Sequence, residues 1–193
     1  MPDEEGFDAA YDWGDQLGEW AWRGAFSRRG VSLPSLAHAI NQPQPTRPFR
    51  FLDNNDTGTR FIAAHGPDVT RAALALLLTL PGIPCIYTGE EVGAEYLPYQ
   101  QTRPLAWSSD PDQLEALIKR LCAQRLARPA LQYGLLRALD ATPSDVVIAF
   151  EAALPGERLV VALNMSDEVA SAEIPSIATS IRIDAWSAEL REA

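Results

Sequence analysis

The sequence predicts an α/β chain in which strands alternate with helices before giving way to an all-β end. Three observations carry this. Two short apolar runs, Phe51-Leu-Asp-Asn-Asn-Asp56 and Gly82-Ile-Pro-Cys-Ile-Tyr-Thr-Gly-Glu-Glu-Val-Gly93, each end abruptly in carboxylates, amides or glycines. A helix-like stretch separates them, so the pair reads strand–helix–strand with polar groups at the strand exits. From roughly Leu131 the hydrophobic period changes from helical to extended. Strand exits are the edge at which a (β/α)8 barrel builds its active site.

Taken in order, Phe7 to Trp13 reads as a short strand with its exit. From about Asp15 to Arg29, Leu17, Trp20, Ala21 and Gly24 recur at helical spacing, which predicts a helix. Pro34 opens a shorter helical piece reaching Ile40. Three prolines between Asn41 and Pro48 then break regular structure, and Phe49 to Leu52 is the next strand. Gly66-Pro67-Asp68 starts the clearest helix. Val69, Ala72, Ala73, Leu76, Leu77 and Leu80 fall on one face, and Leu74 and Leu78 on another, which predicts burial on more than one side. Pro81-Gly82 ends it, Ile83 to Tyr87 is a strand, and Glu90 to Ser109 a loop. Asp110 and Pro111 read as N-cap and N1 of a helix striped by Leu114, Leu117, Ile118 and Leu121, with Pro129 beyond its end. Val146 to Phe150 and Leu159 to Leu163 are strands separated by a turn at Pro155-Gly156. Ile174 and Ile181 to Trp186 suggest two more. The chain therefore divides into 1–130, where strands and helices alternate, and 131–193, which is all β.

A hydrophobic content of 47% with 22% charged residues suits a chain of 193 residues that buries a sizeable core. The formal net charge of −10 leaves no basic footprint for phosphates and excludes a general nucleic-acid binder. Cys85 and Cys122 show no metal-ligand spacing and read as small buried hydrophobes in a reducing compartment. With His38 and His65 the only histidines, a His-based triad or metal cluster finds no support. The opening Met1-Pro-Asp-Glu-Glu5 lacks the apolar segment of a secretory signal, so a cytoplasmic location is expected. The longest apolar stretch, Ala72 to Ile86, carries Thr79, Pro81, Gly82 and Pro84 and is too short and broken for a membrane span. No cofactor, metal, nucleic acid or membrane partner is expected.

Four blocks, in the same order, resemble the α-amylase family of glycoside hydrolases. Phe7 to Trp13 resembles the sixth strand of that family's barrel, Phe51 to Asp56 the seventh, and Gly82 to Gly93 the eighth with its following turn. Arg103-Pro-Leu-Ala-Trp107 is similar to the segment leading into the last barrel helix. Val146 to Phe150 and Arg158 to Asn164 resemble hairpin strands of the C-terminal β-sandwich. The resemblance implies the last three units of a (β/α)8 TIM barrel in 1–130 and a small all-β sandwich domain in 131–193.

It also implies retaining hydrolysis or transfer at α-glucosidic bonds of α-glucans or maltooligosaccharides. That chemistry needs a nucleophilic carboxylate and an acid/base carboxyl about 5 Å apart. Both would fall before Met1, so the chain alone is expected to be inactive. Its implied partners are an α-glucan or oligosaccharide substrate and the N-terminal remainder of the barrel. Asp56 matches the family's third carboxylate, whose implied role is to bind sugar hydroxyls and stabilise the electron-poor transition state. The preceding position, His in many members, is Asn55 here; Asn donates a hydrogen bond but carries no charge. Asn55 and Arg60 are expected to bind substrate, although Arg60 has two open readings, pairing with a carboxylate in the site or anchoring the loop.

Plainer readings hold for the other candidates. Glu4 and Glu5 are a solvated tail, and Glu90 and Glu91 are polar supports near a helix start. Asp53 caps or shapes the Asn54-Asn55 turn. Tyr96 and Tyr99 are stacking faces for sugar or packing anchors, Trp107 packs under the last helix, and His65 is a loop residue without catalytic duty. The competing functions are a non-catalytic carbohydrate-binding module and a structural subunit that completes a barrel with a separate N-terminal chain.

Overall fold

Strand β1 (Ala10–Tyr11) is followed by a small hairpin, β2 (Phe26–Ser27) and β3 (Gly30–Val31), then helix α1 (Leu33–Asn41) and strand β4 (Pro48–Phe51). Helices α2 (Phe61–His65) and α3 (Pro67–Thr79) lead to β5 (Ile83–Cys85), and α4 (Leu114–Ala127) follows a long loop. After the short α5 (Ala130–Tyr133) come β6 (Leu135–Leu139), β7 (Val147–Leu154), β8 (Glu157–Asn164), β9 (Ala170–Ile174), β10 (Thr179–Ile183) and β11 (Ser187–Glu192). The structure is a computed structural model, and it describes residues 8–14, 20–28, 30–44, 47–101 and 104–193.

The order β1-β4-β5 is parallel throughout, with Tyr11 beside Phe49, Phe49 beside Ile83 and Phe51 beside Cys85. A parallel pair needs a crossover of about a dozen residues or more; α2 and α3 supply it between β4 and β5. Parallel pairing sends the chain out of all three strands at one edge, which is what gathers the polar exits. One face of this sheet carries Tyr11, Trp13, Phe49 and Phe51, with Tyr11 and Phe49 centred 5.0 Å apart and Trp13 and Phe51 4.9 Å apart. Tyr11 stays about half exposed on that face. Arg50, one residue on from Phe49, instead meets Asp12 at 2.6 Å with both groups buried. Trp20 donates its indole N–H to the same carboxylate at 3.0 Å, and Arg50 also donates to the Pro81 carbonyl and the Gln44 side chain. A buried pair survives desolvation only when its remaining donors are satisfied in this way.

Helix α3 is buried along nearly its whole length, as apolar residues on more than one face demand. Leu114, Leu117, Ile118 and Leu121 of α4 belong to the same core. So does one face of the antiparallel sheet β11-β8-β7-β6, through Ile148, Phe150, Ala152, Leu159, Val161 and Leu163. The alternate residues Val147, Ala149, Val160 and Ala162 face the opposite way and pack with Ala172, Ile174, Ile181 and Ile183 of the β9–β10 hairpin. Burial on both faces explains why β7 and β8 read as nearly continuous apolar runs rather than alternating ones. Arg125 of α4 donates to the carbonyls of Leu78 and Leu80 at 3.1 and 2.7 Å and to that of Gly82, which places a cation at the C-terminal end of α3.

Several elements differ from the sequence reading. The helix expected from Asp15 to Arg29 does not form over 20–28; residues 15–19 and 29, like Phe7 of the first strand, lie outside the described ones. Trp20 instead bridges Trp13 and stacks on Trp22 at 5.7 Å, and a single 3-10 turn, Arg23–Ala25, leads into the β2–β3 hairpin. Trp20, Trp22 and Phe26 are all buried, and the bridge and the indole bond to Asp12 give Trp20 partners that a helix stripe would not supply. Strand β5 stops at Cys85, short of Tyr87, because the Tyr87 N–H turns to the Glu90 side chain. Helix α4 begins at Leu114 rather than Pro111. Asp110 caps it from a distance, its carboxylate accepting the N–H groups of Leu114 and Glu115 at 2.7 and 3.1 Å. Residues 130–133 form a helical turn after Pro129 before the chain extends. The strand expected from Ile181 to Trp186 becomes β10 and β11, broken where Trp186 takes φ +48°. Trp107 does not pack under a helix; it sits in a turn, 55% exposed, while Leu105 lies over Gly89. His65 closes α2 and packs on the Phe61 ring at 4.3 Å rather than standing in a loop.

Because β7 and α3 share one core, Phe150→Ala should cost roughly 3–5 kcal/mol in chemical denaturation. Hydrogen exchange should then quicken in α3 as well as in β7. A loss of protection confined to the antiparallel sheet would show that the two parts are energetically separate.

Candidate functional site

Where β4 leaves the sheet, Asp53 is buried, with its backbone N–H and both carboxylate oxygens engaged. Its N–H donates to Glu90 Oε1 at 3.1 Å, Oδ1 accepts the N–H of Phe61 at 2.8 Å, and Oδ2 accepts Arg60 Nε at 3.1 Å. Phe61 is the first residue of α2, so Asp53 holds the start of that helix. Arg60 is fully buried; its Nη1 donates to the Thr88 carbonyl at 3.1 Å. Its guanidinium carbon lies 4.9 Å from the Tyr87 ring centre and 5.1 Å from that of Tyr96, both within cation–π range.

The exit of β5 answers from the other side. Glu90 is buried at the start of a 3-10 turn, Glu90–Val92, and its second oxygen accepts the Tyr87 N–H at 2.9 Å. Glu91 accepts the Gly89 N–H at 3.0 Å. Gly89 itself has φ +90°, and a Cβ there would meet the Ala94 Cβ at 2.8 Å, so glycine is required.

Between Asp53 and Arg60 the chain makes a tight turn shaped by Asn54. Asn54 Oδ1 accepts the Asp56 N–H at 2.7 Å, and the Asn54 N–H donates to Thr57 Oγ1 at 3.2 Å. This is the bond an Asn side chain makes to the backbone two residues on. Asn55 and Asp56 stand exposed at the tip, with Asn55 Nδ2 donating to Asp56 Oδ1 at 3.2 Å. The structure thus brings Asp56 and Asn55 together and places Arg60 beneath them in the stem of the loop. Arg60 pairs with the Asp53 carboxylate at 3.1 Å, a bond that closes the loop. Asp53 does not shape the turn; it ties the two ends of the loop together, and Asn54 does the shaping. Tyr96 packs over Arg60 with its hydroxyl 3.4 Å from the Thr88 carbonyl, whereas Tyr99 is 85% exposed. Among the described residues, the buried donors Arg60 Nη2 and Asn54 Nδ2 meet no acceptor.

Burial drives the electrostatics. It pushes Glu90 well above its ordinary 4.5, and the charge of Asp53 pushes the same way; the two backbone N–H bonds and Arg60 offset only part. Asp53 is raised as well, again by burial, against the pull of Arg60, the Phe61 N–H and Arg23. The turn made by Asn54 was signalled by an Asn two residues before Asp56. The tie through Glu90 carried no sequence signal, because its partner lies 37 residues away.

No protein-family model matches the chain. An α-amylase of Haloarcula japonica is 30% identical over 142 residues, covering 71% of this chain and 21% of that protein. A cyclomaltodextrinase of Geobacillus thermopakistaniensis is 29% identical over 148 residues, covering 74% of this chain and 25% of that protein. The chain thus spans between a fifth and a quarter of the length of these curated relatives. Among solved structures, a cyclic α-maltosyl-(1→6)-maltose hydrolase of Arthrobacter globiformis in complex with maltose superposes at a TM-score of 0.77 and 21% identity. That match covers 99% of this chain and 46% of its counterpart. The chain is thus similar to the α-amylase family of glycoside hydrolases over most of its length.

Its fold is that of α-amylase-family barrel enzymes with a sheet-rich C-terminal region. Among the described residues, no three His, Cys, Asp or Glu side chains are grouped to hold a metal ion. No described helix is long and apolar enough to cross a membrane.

The raised Glu90 carboxyl gives a pH signature. Above 4.5 the unfolded chain has released a proton that folded Glu90 retains, so the unfolded state binds fewer protons. Stability therefore falls as pH rises from there through the folded-state value, and Asp53 acts in the same direction. Glu90→Gln removes one accepted bond but also this titration. Calorimetry at about pH 5 and about pH 8 should find the variant's melting point further below the parent's at the lower pH. An equal gap at both pH values would mean that folded Glu90 titrates at its ordinary value.

Proposed function

We propose that this chain is the C-terminal part of a retaining α-glucan hydrolase or transglycosidase. In this reading β1, β4 and β5 are the sixth, seventh and eighth strands of a (β/α)8 barrel, residues 1–130 are its last three units, and residues 131–193 are a C-terminal β-sandwich domain. The nucleophile and the acid/base carboxyl come from strands outside the chain, so the chain alone has no turnover. Asp56 is the third carboxylate, the stabiliser of the positively charged transition state. Asn55 beside it donates to the same sugar. Arg60, also expected to bind substrate, is buried in the stem and in this reading serves the site by holding the loop through Asp53. The observation that carries the reading is the exposed Asp56 carboxylate on a braced turn, at the edge where parallel strands end.

The second reading, a structural subunit that completes a barrel with a separate chain, draws on the sheet face bearing Tyr11 and Trp13. Tyr11 there is 48% exposed, as a ring awaiting further strands would be. The two readings part on whether Asp56 takes part in chemistry.

In the full-length enzyme that contains this sequence, Asp56→Asn should lower the turnover of maltooligosaccharides by about 100-fold or more. Its melting point should barely move, because an exposed carboxylate at a loop tip contributes little to packing. Undiminished turnover would leave Asp56 without the role given to it here.

A further inference from the structure

We propose that Glu90 is a positioning residue for Asp56, acting through the backbone of Asp53; this rests on the reading of Asp56 given above. The loop from Asp53 to Arg60 is closed on itself by the Arg60–Asp53 ion pair at 3.1 Å, so it behaves as one body on a short stem. Its tip is braced internally by Asn54, but no hydrogen bond within the tip sets the angle of the loop to the sheet. Two bonds across the strands do that. Glu90 takes the Asp53 N–H at one end of the loop, and Arg60 gives an N–H to the Thr88 carbonyl at the other. Both lead to the exit of β5, which becomes the fixed frame against which Asp56 is aimed.

Glu90 suits this task for three reasons. Its two oxygens accept two converging N–H groups, from Asp53 and from Tyr87, so one carboxyl joins the exits of β4 and β5. It is 5% exposed, so water hardly competes for those bonds. Its backbone is set by the left-handed Gly89 before it, where a side chain would strike Ala94. A glutamine can accept through only one oxygen and would turn an N–H₂ group toward the other donor. The Asp53 strand end would then lose part of its hold. Misplacement by about 1 Å at a reacting centre costs on the order of 100-fold in rate.

The test is a double-mutant cycle in the full-length enzyme, with kcat and KM for maltooligosaccharides expressed per folded molecule. Glu90→Gln should lower kcat by roughly 10- to 100-fold while KM stays within about 3-fold, since what is lost acts in the transition state. In an Asp56→Asn background the same change should alter kcat by less than about 2-fold, because there is no longer a carboxylate to aim. Glu90→Asp keeps the carboxyl and shortens the reach; it serves if Glu90→Gln does not fold, and should show the same non-additivity. Losses that multiply in the double variant, or a Glu90 variant with full kcat, would overturn the proposal. The Asp56→Asn arm separates the two readings: if it alone has no effect, the role of Asp56 fails, and if it is severe while the losses multiply, only the role of Glu90 fails.

Discussion

The burial of α3 on more than one side is the constraint from which the rest of the structure follows. A helix with leucines and alanines around most of its circumference must find apolar surface on several sides. It shares one core with α4, with Phe51 and Leu52 at the end of β4, and with β7 and β8 of the antiparallel sheet. The two halves of the chain are therefore not independent cores joined by a linker. The inward residues of β7 and β8 pack with the same cluster as α3, and the β9–β10 hairpin covers the opposite side. Removing one layer would expose the other.

That packing leaves the turn after β4, with Asn55 and Asp56, exposed at the strand exits. The parallel register of β4 and β5 brings Asp53 and Tyr87 to one edge, and there the backbone runs out of ladder partners. The N–H groups of Asp53 and Tyr87 are buried or nearly so and must be paired. Glu90 pairs both. Burying that acid beside Asp53 is costly, and it is tolerated because four backbone or guanidinium donors converge on the two carboxyl groups. Nothing comparable holds the exposed Asp56 carboxylate, which accepts the Asn55 side-chain amide at 3.2 Å.

Elsewhere, buried ionic groups brace the parallel sheet. Asp12 and Arg50 join β1 to β4 under the Trp20 and Trp22 rings, with the Arg50 guanidinium 4.9 Å from the Trp22 ring centre. Arg125 gathers the last carbonyls of α3 together with that of Gly82. Gly82 must be glycine at that point, for its φ is +116° and a Cβ would lie 2.6 Å from the Pro48 carbonyl oxygen. One ion pair and the Arg125 carbonyl contacts thus brace the parallel sheet through residues outside the Asp53–Arg60 loop.

The sequence by itself determined the elements whose signal is periodic and local. The stripe from Val69 to Leu80, the runs in β7 and β8, and the polar break after Phe51 all follow from spacing within a few residues, and they placed Asp56 and Asn55 at a strand exit. The resemblance of four ordered blocks then supplied the family, which the relatives in Haloarcula and Geobacillus support. Only the tertiary structure decided what Trp20 to Phe26 would do, since helical spacing there yielded to aromatic stacking and an indole bond to Asp12. It alone decided that Arg60 would lie under the loop and that Glu90 would reach Asp53. Such partners are chosen by desolvation: a charge driven into the interior takes whatever donor or acceptor the packing brings within 3 Å or so, and no local pattern records which one that is.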